Sequence, residues 1–178
     1  MVAMTVNEFL STVRSNYPAL PDDDLLSYVV CTPGIDPLDQ ADSNQDFRRQ
    51  VAQALCLDFS IADRKLVRFL LRQEIQAHRH GSGYSDDLKL CAYPLFALGR
   101  LDDVELLWQA KSVSFDTFCG FDVQLLVGAG VEPTITYLHQ NPSNETLAAV
   151  EYIKACQKAG DFDWLDEYRV ECRQWLLS

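Results

Sequence analysis

Three residues near the middle of the chain have the types that acid–base or nucleophilic chemistry needs: Cys119, Asp122 and His139. Read on a helix spanning 117–127, Asp122 falls among Phe118, Cys119, Leu125 and Leu126, so a carboxylate occupies the most apolar arc of an element that is apolar nearly all round. Such a charge must be paired, hydrogen-bonded or neutralised. Used functionally, it is a carboxyl group with a raised pKa in a pocket beside the Cys119 thiol. Used structurally, which is the expected use, it accepts hydrogen bonds from the Trp108 indole, a neighbouring helix start or an arginine. Cys119 becomes a nucleophile only with a histidine in reach, and His139 lies one helix further on.

A second group is "AHRHGSGYSDD" at 77–87. His78 and His80, two residues apart, diverge on a helix, so a shared metal site requires unwinding there. The glycines lack phosphate-loop spacing, and "GSGYS" lacks the Gly-x-Ser-x-Gly order of a nucleophile elbow, so a connection between helices is expected. A third group, Arg64, Arg68 and Arg72, recurs every four residues as a basic stripe. It would bind a carboxylate-rich or phosphorylated partner, or fold back onto acidic segments of the same chain such as "PDDDLL" at 21–26. No metal site and no cofactor is expected.

The stretch "VQLLVGAGVEP" at 123–133 has the look of a dinucleotide turn, but that fingerprint needs a preceding strand and a third glycine, and here the third position is Pro133. The glycines are expected to end one helix and Pro133 to sit near the first turn of the next.

The elements that position these residues are helical throughout. Ser60 precedes "IADRKLVRFLLRQEIQAHRH", in which Leu66, Val67, Leu70, Leu71 and Ile75 share one side. Ser85 opens "DDLKLCAYPLFAL", Gly99 closes it, and Pro94 should kink or shorten it. Further helices are expected near 6–16, where Thr5 and Glu8 form a capping box, and near 22–31, 45–58, 102–111, 117–127, 133–140, 144–159 and 163–177. The β-branched residues at 131–138 carry the weakest helix signal. Turn formers at 32–44 make the longest linker.

"LGRLDDVELL" at 98–107 and "AGDFDWLDEY" at 159–168 match at an offset of 61 residues, with "GAGVEPTITYL" midway between. Three helical hairpins of about 30 residues follow from that spacing. "LFALGRLDDVELLWQA" resembles the hairpin turn of short HEAT-like repeats, well over 91–111, partly over 117–140 and weakly over 144–176. The Val-Arg pair usual in such repeats is replaced by Cys119 and Gly120. The resemblance implies an all-α fold of stacked antiparallel helical hairpins, an α-solenoid. Eight or nine helices are expected in one domain over 1–178, with an N-terminal helical part at 1–80 and three hairpins over 85–177.

Composition narrows function further. With 26 acidic against 15 basic side chains the net charge is -11, which disfavours nucleic acid. The charge is -6 over residues 1–45, +3 over 46–80 and -8 over 81–178. No apolar run approaches the ~20 residues of a membrane span, and the N-terminus lacks the pattern of a signal peptide. Six scattered cysteines without a C-x-x-C pair read as buried free thiols of a cytoplasmic protein. The expected function is a non-enzymatic interaction module, an adaptor, scaffold or neutraliser of a basic partner protein. The alternative is a small enzyme or ligand-binding protein with its site at Asp122, Cys119 and the 78–87 loop. Leu165, Tyr168, Cys172, Trp175 and Leu176 form an apolar stripe on the last helix, to be packed in the core or used for homodimerisation through Tyr168 and Trp175.

Overall fold

Short-range hydrogen bonds fix four of the helix starts. In the computed structural model, which describes residues 4–19, 23–32, 42–80 and 84–177, Thr5, Ser60, Ser114 and Ser143 each accept a backbone N–H from the turn that follows. The residues three positions on, Glu8, Asp63, Thr117 and Thr146, return the bond, closing capping boxes. Much of the linker at 32–44, the start of the 21–26 segment, Gly81 to Gly83 and the His80 side chain lie outside the described residues.

The described residues are all-helical and contain no strand. Ten helices follow in order: α1 (Val6–Ser15), α2 (Asp23–Leu26), α3 (Gln45–Leu57), α4 (Arg64–His80), α5 (Asp87–Leu98), α6 (Val104–Ser112), α7 (Phe115–Gly120), α8 (Val131–Gln140), α9 (Asn144–Ala159) and α10 (Leu165–Leu176). Single 3-10 segments occupy Ile61–Asp63, Leu101–Asp103 and Val123–Val127. No helix among the described residues is long and apolar enough to cross a membrane.

α5 is the hub because it is apolar on every side: Leu88 and Leu90 to Phe96 are all buried. α4 covers one flank with Leu66, Val67, Leu70, Leu71 and Ile75, the face anticipated from spacing. α3, α10 and the 123–127 segment cover the rest. α6 packs chiefly on α4, and α8 on α9. α10, expected to extend a row of hairpins, folds back onto α5 and α3.

Pro94 neither kinks nor shortens α5, which runs through to Leu98. Its missing N–H leaves the Leu90 carbonyl without an intrahelical donor. The Cys56 thiol of α3 supplies one, Sγ lying 3.3 Å from that oxygen. Cys56→Ala is expected to cost roughly 1–3 kcal/mol in urea unfolding by orphaning the buried carbonyl, and Cys56→Ser, which keeps a donor, to cost less.

Five of the six cysteines are buried free thiols, and Cys119 is exposed. Burial pushes Cys56 up to about 12 and Cys31 up to about 11, from an ordinary 9.0. The folded chain therefore keeps protons that the unfolded chain sheds above pH 9. Stability is complete below that pH and declines as pH rises towards 12. Cys56 alone accounts for about 1 kcal/mol by pH 10, so the urea midpoint should be lower at pH 10 than at pH 8. Equal midpoints would contradict this assignment.

The 128–130 turn follows a 3-10 segment, not a strand, which removes the dinucleotide reading. A Cβ on Gly128 would stand 2.2 Å from the Phe96 carbonyl oxygen, so glycine there permits close approach to the end of α5. Gly130 enters α8 at φ +100°, and Pro133 occupies the first turn.

Candidate functional site

The helix expected over 117–127 is two elements. α7 stops at Gly120, Phe121 and Asp122 are extended, and a 3-10 turn resumes at Val123. The break has a physical cause in Lys111 of α6. This buried lysine donates to the Phe118 and Phe121 carbonyls, both at 2.7 Å, and lies over the Phe118 and Tyr152 rings at 5.0 Å. Carbonyls that would continue the helix are thus claimed by an ammonium. Gly120 has its own reason: the Tyr84 ring lies where a Cβ would be, 2.7 Å from the nearest ring carbon.

Asp122 is consequently not on a buried apolar arc. About a third of its side chain (35%) is exposed, and it is held by Lys89 of α5 at 3.1 Å and by the Tyr168 hydroxyl of α10 at 2.9 Å. Neither the Trp108 indole nor an arginine is its partner. Lys89 also faces the Trp175 and Tyr84 rings at 5.0 and 5.7 Å. Burial raises the pKa of the Tyr168 and Tyr84 phenols and of the Cys172 thiol beside them, so all three keep their protons. The cluster fastens α10 to α5, and its phenols and thiol are kept from ionising by burial.

The other candidates are dispersed. Cys119 is exposed on α7, and among the described residues no hydrogen bond joins it to Asp122 or His139. His139 is exposed, with Nε2 3.3 Å from Lys154 Nζ. His78 is buried, with Nδ1 2.8 Å from the Glu74 carbonyl oxygen and Nε2 accepting the Ser85 N–H at 3.1 Å. Nδ1 thus bonds within α4, and Nε2 ties the end of α4 to the residues that open α5. Tyr168, one of the two residues expected at a self-association face, spends its hydroxyl on Asp122, whereas Trp175 is half exposed.

The arginine stripe is also consumed internally, and largely by an acid other than the one anticipated. Arg64 grips Asp103 through Nε and Nη2, each at 2.8 Å, and reaches Asp102 at 2.7 Å. Arg68 joins the same Asp103 carboxylate and donates to the Asp102 carbonyl at 3.0 Å. Arg72 is exposed and has no partner among the described residues; burial of its stem and nearby Arg68 lower its pKa.

Two further networks escaped sequence reasoning. Arg48, fully buried in α3, bonds Glu74 of α4 at 2.5 Å and Asp42 at 2.6 Å. Arg49 grips Asp87 through two bonds of 2.6 and 2.9 Å, and Gln45 adds a third at 3.1 Å. This second network lines an open cleft of about 540 Å³ together with Tyr84, Leu90, Trp175 and Leu176. The charges of Arg49 and Asp87 cancel in place, while Asp86, also on the cleft wall, is exposed. The signal for Arg48 was present: it shares a helical face with Val51, Ala52 and Leu55.

At least twelve of the fifteen lysines and arginines thus have an intramolecular partner. Besides those above, Arg14 binds Asp63, Lys65 the Pro18 carbonyl, Arg100 Asp102, Arg169 the Gly128 carbonyl and Arg173 the carbonyls ending α3. Among the described residues seventeen acidic side chains are exposed against eight basic ones, and five of those eight are tied down in this way. Compared with known protein families, curated proteins and solved structures, the chain finds no match in any of the three. The outward-facing charge is accordingly the feature with the clearest chemical consequence: it attracts cations and repels phosphate backbones.

Proposed function

We propose that this protein is a non-enzymatic, cytoplasmic interaction module that binds a basic partner protein through its acidic exterior. The inward use of the basic side chains carries this reading. An acidic composition alone leaves opposite charges interspersed, whereas here most cations are spent on helix ends and intramolecular ion pairs and seventeen carboxylates face solvent. The free thiols suit a reducing compartment.

We read the scaffold as a short stack of HEAT-like hairpins closed by its last helix. Packing between helices two apart supports this: α3 with α5, and α4 with α6. So does the left-handed glycine cap at both ends of the 61-residue offset, Gly99 at φ +61° and Gly160 at φ +88°.

The test is capture from native cell extract on the immobilised protein. Retained proteins should be basic and should elute as salt rises from about 0.1 to about 0.5 M, where the Debye length contracts about twofold. Retained proteins of ordinary charge, or retention indifferent to salt, would refute the proposal.

A further inference from the structure

The acidic exterior is not uniform, and one place on it pairs charge with an exposed aromatic ring. Trp164, at the entrance to α10, is 71% exposed and makes no ring or cation contact among the described residues. Single exposed hydrophobics are common, but a tryptophan left this open loses much of the burial that an indole normally gains. On the outer face of α10, Glu167 and Glu171 follow Trp164 at three and seven residues, so the indole and both carboxylates lie along one side over two turns. Asp163 and Asp166 flank them, and all four carboxylates are exposed without an ion pair among the described residues. Arg169 and Arg173, the helix's own cations, are turned away to the Gly128 carbonyl and the end of α3.

The same helix already displays this chemistry once. Trp175 presents its ring to the Lys89 ammonium at 5.0 Å while Asp122 holds that ammonium at 3.1 Å. Indole plus carboxylate is therefore a cation seat in this fold, filled at Trp175 by the chain itself.

Resting on the function proposed above, we infer that Trp164 with Glu167 and Glu171 is the docking point for a lysine- or arginine-rich segment of the partner protein. One cation of that segment sits over the indole, and its neighbours pair with the carboxylates. Charge complementarity selects this occupant: an acidic segment would be repelled, and a purely apolar one would strand the carboxylates.

Titration of the intact protein with a labelled oligolysine peptide, followed by anisotropy at low salt, tests the inference. Oligoglutamate serves as the control. Trp164→Leu keeps apolar area but removes the ring face and is expected to weaken binding about 3-fold, with Trp164→Phe falling between it and the unaltered protein. Glu167→Gln with Glu171→Gln should weaken it about 10-fold, and Glu132→Gln with Glu145→Gln, placed elsewhere, much less. All these side chains are exposed, so unchanged circular dichroism and urea midpoints are expected. Oligolysine binding that is insensitive to the α10 variants would overturn this docking point and leave the acidic-module reading standing. No oligolysine binding by the unaltered protein would overturn both. Self-association abolished by Trp164→Leu, with oligolysine binding unaffected, would make a second copy the occupant and also overturn the inference.

Discussion

Replacing Arg48 with alanine is expected to remove about 3–5 kcal/mol of stability, the largest single effect in the molecule. Arg48 is completely buried between α3 and α4, and its loss leaves Glu74, itself 1% exposed, and Asp42 without their cation. Burial already pushes the Glu74 carboxyl above its ordinary value, against the pull of Arg48. Without that pull the carboxyl rises further and takes up a proton. For a carboxyl raised in the fold, the linked stability is intact below the unfolded value near 4.5 and is lost as pH rises through the folded value. The deficit of Arg48→Ala should therefore be smaller near pH 5 than at pH 8 in urea unfolding. The double variant Arg48→Met with Glu74→Leu should recover much of the loss, because filling the site with apolar volume replaces an expensive buried pair. A deficit independent of pH and unrelieved in the double variant would mean that lost volume, not charge, sets the cost.

The second large effect is at Asp103. Its carboxylate is fully buried and receives Arg64 through a two-pronged contact as well as Arg68, locking α4 to the start of α6. Asp103→Ala should cost about 2–4 kcal/mol, less than Arg48→Ala because Arg64 and Arg68, 20% and 24% exposed, can turn to water. Asp103→Asn, which retains the shape and two acceptor sites but not the charge, should fall between. The same substitution is expected to release two arginines onto the surface and so weaken the capture of basic partners. Urea unfolding reads the first consequence and salt-dependent capture the second.

These effects show which physics the sequence reveals. The buried face of α4, the Thr5–Glu8 capping box and the Gly99 stop are local: they depend on spacing within a few residues, and the structure has them where expected. The 117–127 helix failed because its ladder is broken from outside, by Lys111 reaching from α6 to the Phe118 and Phe121 carbonyls. No window of residues around Asp122 contains that information. Pro94 failed in the opposite direction, since the defect was visible locally and its repair by Cys56, 38 positions earlier, was not. The arginine stripe shows the same limit: its spacing was legible, but its partner Asp103 lies 35 residues beyond Arg68. Arg48 and Glu74 were legible in principle, as charged residues at apolar-face spacing, the same signal that drew attention to Asp122.

Most of the cations are spent on partners within the chain, and arginine-directed phenylglyoxal labelling with site-resolved mass spectrometry measures this directly. Arg72 and Arg79 should react at rates close to those of the unfolded chain, while Arg48, Arg64 and Arg169 stay protected until unfolding. Reaction of Arg48 and Arg64 as fast as Arg79 in the folded protein would place those cations at the surface and contradict the account.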